Sequence, residues 1–145
     1  MNEEITGLVF YTIEKSIKSY RKFAQRRIDQ AKFDITVDQW LILKFLQQHQ
    51  GISQRELADL VFKDVASVTR IIDILVKKEY LDRAFHQTDR RRFELSLTDN
   101  GTKIIKVMQS IVDQNRSLAL QGITNAETDH LQEILKKIIA NCKNP

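Results

Sequence analysis

Apolar positions recur along this chain at two distinct periods, and the change of period predicts the architecture. Ile5, Leu8, Val9, Ile13, Ile17, Tyr20, Phe23 and Ala24 fall three and four apart, on one stripe of a helix spanning about residues 4–31. That length exceeds what one small core needs, so part of the stripe should meet another subunit. A second helix follows Thr36. There Trp40, Leu41, Leu43, Phe45 and Leu46 are apolar almost all round, the pattern of a buried central helix. Residues 53–61 make a third, with Leu57 and Leu60 inward and Ala58 small enough for close packing. Phe62 and Lys63 turn the chain, and Asp64 is placed to cap a fourth helix on which Val65, Val68, Ile72 and Leu75 share a face. Then the period drops to two. Phe93, Leu95 and Leu97 alternate with Arg92, Glu94 and Ser96, as in a half-buried strand, and a partner near residues 81–85 alternates less clearly. Helical spacing returns after Thr98 (Ile104, Met108, Ile111, Val112, Leu118) and after Thr124 (Leu131, Ile134, Leu135, Ile138, Ile139).

Polar residues punctuate the same elements. Thr36-x-x-Gln39, Ser53-x-x-Glu56 and Thr124-x-x-Glu127 read as capping boxes, and Gly51 and Gly122 stand where a helix can end in a left-handed residue. With one proline, Pro145, and four glycines, the chain should be mostly helical. The expected fold is mainly α with a small β-wing: a winged helix–turn–helix between long N- and C-terminal helices. No repeat or linker divides it. Residues 1–145 therefore read as one domain, with 36–98 the helix–turn–helix lobe and 1–34 and 99–145 the helices that pair two copies across a two-fold axis.

Composition narrows the function. A 42% hydrophobic content suffices for a core without staples, and the single cysteine, Cys142, excludes an internal disulfide and suits a reducing compartment. Glu3 and Glu4 and the lack of a long apolar run argue against a signal peptide or membrane span, so a cytoplasmic protein is expected. No glycine-rich phosphate loop or nucleophile elbow occurs, and His49, His86 and His130 lack neighbours at metal-ligand spacing. Neither catalysis nor a metal or cofactor is expected.

The net charge of +4 is a weak pointer to a polyanion, and its placement is a stronger one. Arg90, Arg91 and Arg92 are consecutive, at the end of a glycine-free connection, roughly residues 87–91, that is too polar to bury and should project from the hairpin. One such arginine could enter a minor groove while its neighbours hold phosphates, with Asp89 steadying it; the bland reading is a solvated edge that discourages aggregation. On the fourth helix Ala66, Arg70, Asp73 and Lys77 lie opposite the apolar face, with Ser67 and Thr69 on its flanks. A small, polar and basic face after a tight turn suits a DNA groove, although Arg70 and Lys77 could equally pair with Asp73 on an exposed helix. Trp40, Tyr11 and Tyr20 read as core aromatics.

These residues also carry a resemblance. Asp89-x-Arg91-x-x-x-Leu95-x-Leu97-Thr98-x-x-Gly101 resembles the wing signature of the multiple-antibiotic-resistance regulator (MarR) family. Lys63-Asp64-x-x-Ser67-Val68-Thr69-Arg70-Ile71-Ile72-Asp73-x-Leu75-x-Lys77-Lys78 resembles its recognition helix, and Gln39-Trp40-x-Ile42-Leu43 its second-helix motif. One departure is Glu79, where the family often has glycine before the pair Tyr80-Leu81. The resemblance implies a homodimeric winged helix–turn–helix repressor or activator of pseudo-palindromic operators in double-stranded DNA. It implies Arg91 in the minor groove, Asp89 as its support, and Ser67, Thr69 and Arg70 as contacts with Ala66 near the bases. The family's peroxide-sensing branch uses an N-terminal cysteine, which this chain lacks. A small anionic or phenolic effector, bound between the dimer helices and the DNA-reading lobe, is then the implied input. Two other readings stay open: a winged-helix protein-interaction module that never touches DNA, and a thiol-based redox regulator using Cys142.

Overall fold

The computed structural model describes residues 4–85, 88–89 and 93–143. A 3-10 turn, Ile5–Gly7, precedes six helices and a hairpin: α1 (Val9–Gln30), α2 (Val37–Gln48), α3 (Gln54–Leu60), α4 (Val65–Lys77), β1 (Leu81–Phe85), β2 (Phe93–Leu97), α5 (Asp99–Ala119) and α6 (Asn125–Lys143). The winged-helix class read from the sequence is the one observed: the described residues are 72% helical and hold one two-stranded antiparallel sheet. The chain divides into two compact units, one ending at Asn115 and the other starting at Arg116. Among the described residues no helix is long and apolar enough to cross a membrane.

In the first unit α2 runs through the core, with Ile42 and Leu43 fully buried, as its all-round apolar pattern predicted. Around it pack Leu57 of α3, Val68, Ile72 and Leu75 of α4, Leu81 of β1, and Ile105 and Met108 of α5. Two residues expected inward are partly exposed, Leu60 at 38% and Val65 at 41%. They are the last residue of α3 and the first of α4, so the chain reverses beneath them at the surface. The first helix starts later than its stripe suggested. Thr6 and Gly7 are poor helix formers, and Leu8 is an extended N-cap at φ −78° and ψ 143°. Of α1 only Ala24 and Ile28 are buried.

The capping boxes of α2 and α6 form in both directions: Thr36 with Gln39, and Thr124 with Glu127. At α3 the Ser53 half is present, Oγ accepting from the Glu56 N–H at 3.1 Å. Helix ends hold the surprise. Lys32, Phe62 and Glu79 have φ of 63°, 60° and 62°, left-handed without being glycine. Each closes a double turn in which its own N–H and the next residue's N–H return to the helix, Glu79 to Val76 and Tyr80 to Leu75 for example. Phe33 and Tyr80, the residues after two of these turns, pack against the core and anchor them. Glu79 thus adopts the conformation for which the resembling family often uses glycine.

In the hairpin Leu81 faces Leu97, Arg83 faces Leu95 and Phe85 faces Phe93. The weak alternation of β1 has a physical cause: Arg83 occupies an inward register position because it meets Asp73 of α4 there.

Candidate nucleic-acid interface

The exposed side of α4 is built from its N-cap. Asp64 accepts from the Ser67 N–H at 2.7 Å through Oδ1 and from the Ser67 hydroxyl at 3.0 Å through Oδ2. Arg70 Nη2 donates to that same hydroxyl oxygen at 3.2 Å. Hydrogen bonds from the Ser67 backbone and then its hydroxyl hold the Asp64 carboxyl below its ordinary 3.8, and the Arg70 charge acts in the same direction. A carboxylate, a hydroxyl and a guanidinium are thereby linked across the first turn and a half, with Arg70 left facing solvent.

Thr69 is committed differently. Its hydroxyl lies 2.9 Å from the Val65 carbonyl and 3.0 Å from Gln54 Oε1, so it joins α4 to the start of α3. Ala66 and Lys77 are exposed. Asp73 pairs with Arg83 of β1, and the Arg70 and Lys77 pairings considered from helical spacing are not the ones that form. The recognition-type helix and the hairpin are therefore tied by a charged contact ten residues apart in sequence.

Arg90, Arg91 and Arg92 lie outside the described residues, and with them the predicted wing tip. Asp89 is half-buried at its edge. Behind the hairpin the start of α5 is tightly fitted. Thr98 Oγ1 donates to the Glu79 carbonyl at 2.6 Å and accepts from the Gly101 N–H at 3.0 Å. A Cβ on Gly101 would lie 2.2 Å from the Tyr80 carbonyl oxygen, so only glycine fits.

Away from α4, a cavity of about 400 Å³ lies against α1 and α5, lined by Arg27, Gln30, Phe33, Ile111 and Gln114 among others. Arg27 donates to Asn115 Oδ1 at 2.6 Å and to Gln114 Oε1 at 3.3 Å, and its guanidinium sits 5.9 Å from the Phe23 ring centroid. Asn115 is a rare buried polar residue, 1% exposed. Among the described residues no group of three or more His, Cys, Asp or Glu side chains is placed to hold a metal.

A MarR family model matches residues 33–92, from the loop before α2 through the hairpin. Over that segment the chain is similar to the MarR-family transcriptional regulators. A curated relative, the HTH-type transcriptional regulator SarZ of Staphylococcus haemolyticus, is 26% identical over 141 residues, covering 97% of this chain and 90% of that protein. Two solved MarR-like structures share the fold. One, from a study of how 6-hydroxynicotinic acid regulates DNA binding by BpsR of Bordetella bronchiseptica, has a TM-score of 0.85 at 20% identity and covers 95% of this chain and 97% of that one. The other, the S. aureus MepR–DNA complex, has a TM-score of 0.83 at 24% identity and covers 92% and 98%. Family and relatives are regulators rather than enzymes.

Of the site residues read from the MarR-like sequence, Ala66, Ser67, Thr69, Arg70 and Lys77 share one short helix, as the periodicity required. Ser67 and Thr69 are already engaged within the protein, one orienting Arg70 and the other fastening α3. Sequence reasoning missed Gln54 and Arg83. A cation at an inward position of β1, two residues after Leu81, was the available signal for Arg83, because a charge facing the core needs a partner.

Proposed function

We propose that this regulator binds a pseudo-palindromic DNA operator as a homodimer. Each subunit inserts α4 in a major groove and lays the Arg90–Arg92 tip along the adjacent minor groove, where Asp89 steadies Arg91. Residues 36–98 form the DNA-reading lobe, and 1–34 and 99–145 pair the subunits. The observation that carries this reading is the Asp64–Ser67–Arg70 chain, which presents an oriented guanidinium on the exposed face of a helix seated in the core. Arginine with its fork preset suits bidentate contact with guanine O6 and N7. Ala66 beside it leaves room for the helix to approach base edges, and Lys77 adds a phosphate contact. MepR, described in complex with DNA, and BpsR, whose DNA binding is described as regulated, support the same reading.

We further propose a cytoplasmic repressor that a small anionic or phenolic molecule releases from DNA. The cavity lined by Arg27 supports this: a guanidinium sharing one hollow with Phe33 and Ile111 suits a ligand with a carboxylate or phenolate on an apolar ring.

The test is fluorescence anisotropy with labelled DNA from the gene's own upstream region, against random DNA across a salt series. Wild type should prefer the upstream DNA and bind less tightly as salt rises. Arg70→Ala should lose about 1–3 kcal/mol of that preference, and Arg91→Ala should also weaken it. Equal binding by all three proteins contradicts the residue assignments. Salt-insensitive behaviour with no DNA preference would instead favour a protein-interaction module.

A further inference from the structure

Both ends of α4 are fastened to one short segment, residues 34–39, which is in turn fastened to α1. Gln25 of α1 donates to the Ile35 carbonyl at 3.2 Å and accepts from the Val37 N–H at 2.9 Å, and Arg21 pairs with Asp38. The other oxygen of the Asp38 carboxylate pairs with Lys63 Nζ at 3.2 Å. Lys63 immediately precedes the N-cap of α4. At the opposite end Lys78, the C-cap, donates to the Asp34 carbonyl at 2.7 Å and to Gln39 Oε1 at 3.4 Å, with the Asp34 carboxylate 3.5 Å away. Gln39 is 6% exposed and its same oxygen accepts from the Thr36 N–H, so the C-terminal tie ends on a buried capping box.

By sequence, Lys63 and Lys78 bracket the DNA-facing helix and would be read as phosphate ligands. Their ammonium groups are instead turned to the α1–α2 corner, with side chains only 33% and 25% exposed. An isolated exposed ion pair would contribute little. Here one carboxylate bridges two cations from different elements, and a second lysine is held by a carbonyl and a buried amide, the exposed Asp34 carboxylate adding little. Shifting α4 against α1 breaks contacts at one end or the other.

We propose that Asp38, Lys63 and Lys78 are positioning residues that set the attitude of α4 relative to α1 and so determine DNA specificity without touching DNA. The proposal rests on the DNA-reading function above. It assigns two of the lysines nearest the recognition helix to internal geometry, and it makes residues 34–39 the point through which a displacement of α1 would reach both ends of α4.

The test uses the full chain. Wild type, Asp38→Asn, Lys63→Gln and Lys78→Met are compared for affinity to the upstream DNA and to random DNA over a salt series, well below each thermal midpoint. Asp38→Glu and Lys78→Arg serve as conservative controls. Each of the three disrupting variants should lose between about two-fold and about thirty-fold in affinity for the upstream DNA. Random-DNA affinity should not fall, and the slope of log affinity against log salt should hold. Asp38→Asn is the sharpest case: removing a negative charge should strengthen binding by simple electrostatics, whereas lost positioning weakens it on the upstream DNA. Asp38→Asn and Lys63→Gln together should cost less than their sum, and the conservative variants should recover most of the preference. A uniform loss on both DNAs with a slope lowered by about one per lysine would make Lys63 and Lys78 phosphate ligands and overturn the proposal. Full preference in all three variants overturns it as well. A wild type without preference for its upstream DNA removes the DNA-reading function itself, an outcome distinct from both.

Discussion

At the scale of single residues, the N-cap of α4 carries a pH signature and the helix ends carry strain. The Asp64 carboxyl is held below its unfolded value of 3.8 by Ser67. A depressed carboxyl stabilises the folded state fully above the unfolded value and loses that contribution as pH falls through the folded one. Its effect therefore belongs to the acid range below 3.8 and is constant near neutrality. Carboxyl-carbon NMR should give Asp64 a midpoint under 3.8, moving up towards it in Ser67→Ala; an unshifted midpoint in the wild type would contradict the hydrogen bonds described. Strain is the other residue-scale quantity. Phe62 and Glu79 sit at φ near 60°, and Phe62 is 94% exposed, so its ring returns little burial. Replacing either with glycine removes a left-handed penalty of about 1–2 kcal/mol against a glycine entropy cost of about 0.5–1 kcal/mol. Phe62→Gly and Glu79→Gly should each raise the urea midpoint slightly. A fall would mean that the side chain makes a contact worth more than the strain.

At the scale of elements, the joint between α4, the hairpin and α5 depends on an absent side chain. Gly101→Ala gains about 1 kcal/mol of helix propensity but drives a Cβ to within 2.2 Å of the Tyr80 carbonyl oxygen, a backbone atom. Overpacking against backbone should cost roughly 3 kcal/mol, so urea unfolding should show a net loss of about 2 kcal/mol. A neutral result would mean that α5 can slide away from Tyr80. The sequence made this element order legible because its signals are local: caps at Thr36, Ser53, Asp64, Thr98 and Thr124, and a change of period at β2. What it left obscure is what local signals cannot encode. Lys78 meets Asp34 across 44 residues, and no spacing rule announces that. Asp73 had Arg70 and Lys77 at helical distance and pairs with Arg83 instead, since the strand brings that guanidinium inward. The left-handed geometry of the turns at Lys32, Phe62 and Glu79 had no marker of its own for a third reason: glycine is the usual one, and these turns are held by two returning hydrogen bonds, with Phe33 and Tyr80 anchoring two of them in the core.

For the whole molecule, the apolar surface that the chain leaves uncovered points to a second copy. Helix α6 buries none of its residues, yet Leu131, Ile134, Leu135, Ile138 and Ile139 line one stripe, with Leu131 at 53%, Ile134 at 41% and Ile139 at 56% exposure. The start of α1 is similar, with Val9 at 61%, Phe10 at 63% and Ile17 at 51%. Isolated apolar side chains on a surface need no explanation, but two helices with apolar stripes turned to water do. In the proposed homodimer both stripes are covered by their symmetry mates, and pairing sets two copies of α4 about one turn of DNA apart, roughly 34–36 Å. Ile134→Glu and Ile17→Glu place a charge in those stripes without touching the α4 face. Sedimentation should show wild type as a dimer at micromolar concentration and both variants shifted towards monomer. Because two linked half-sites multiply their affinities, the monomeric variants should bind the upstream DNA at least about a hundred-fold more weakly. They should retain the salt dependence of a single lobe. Variants that stay dimeric, or monomers that bind as tightly as wild type, would show that these stripes serve something other than the pairing of two DNA-reading lobes.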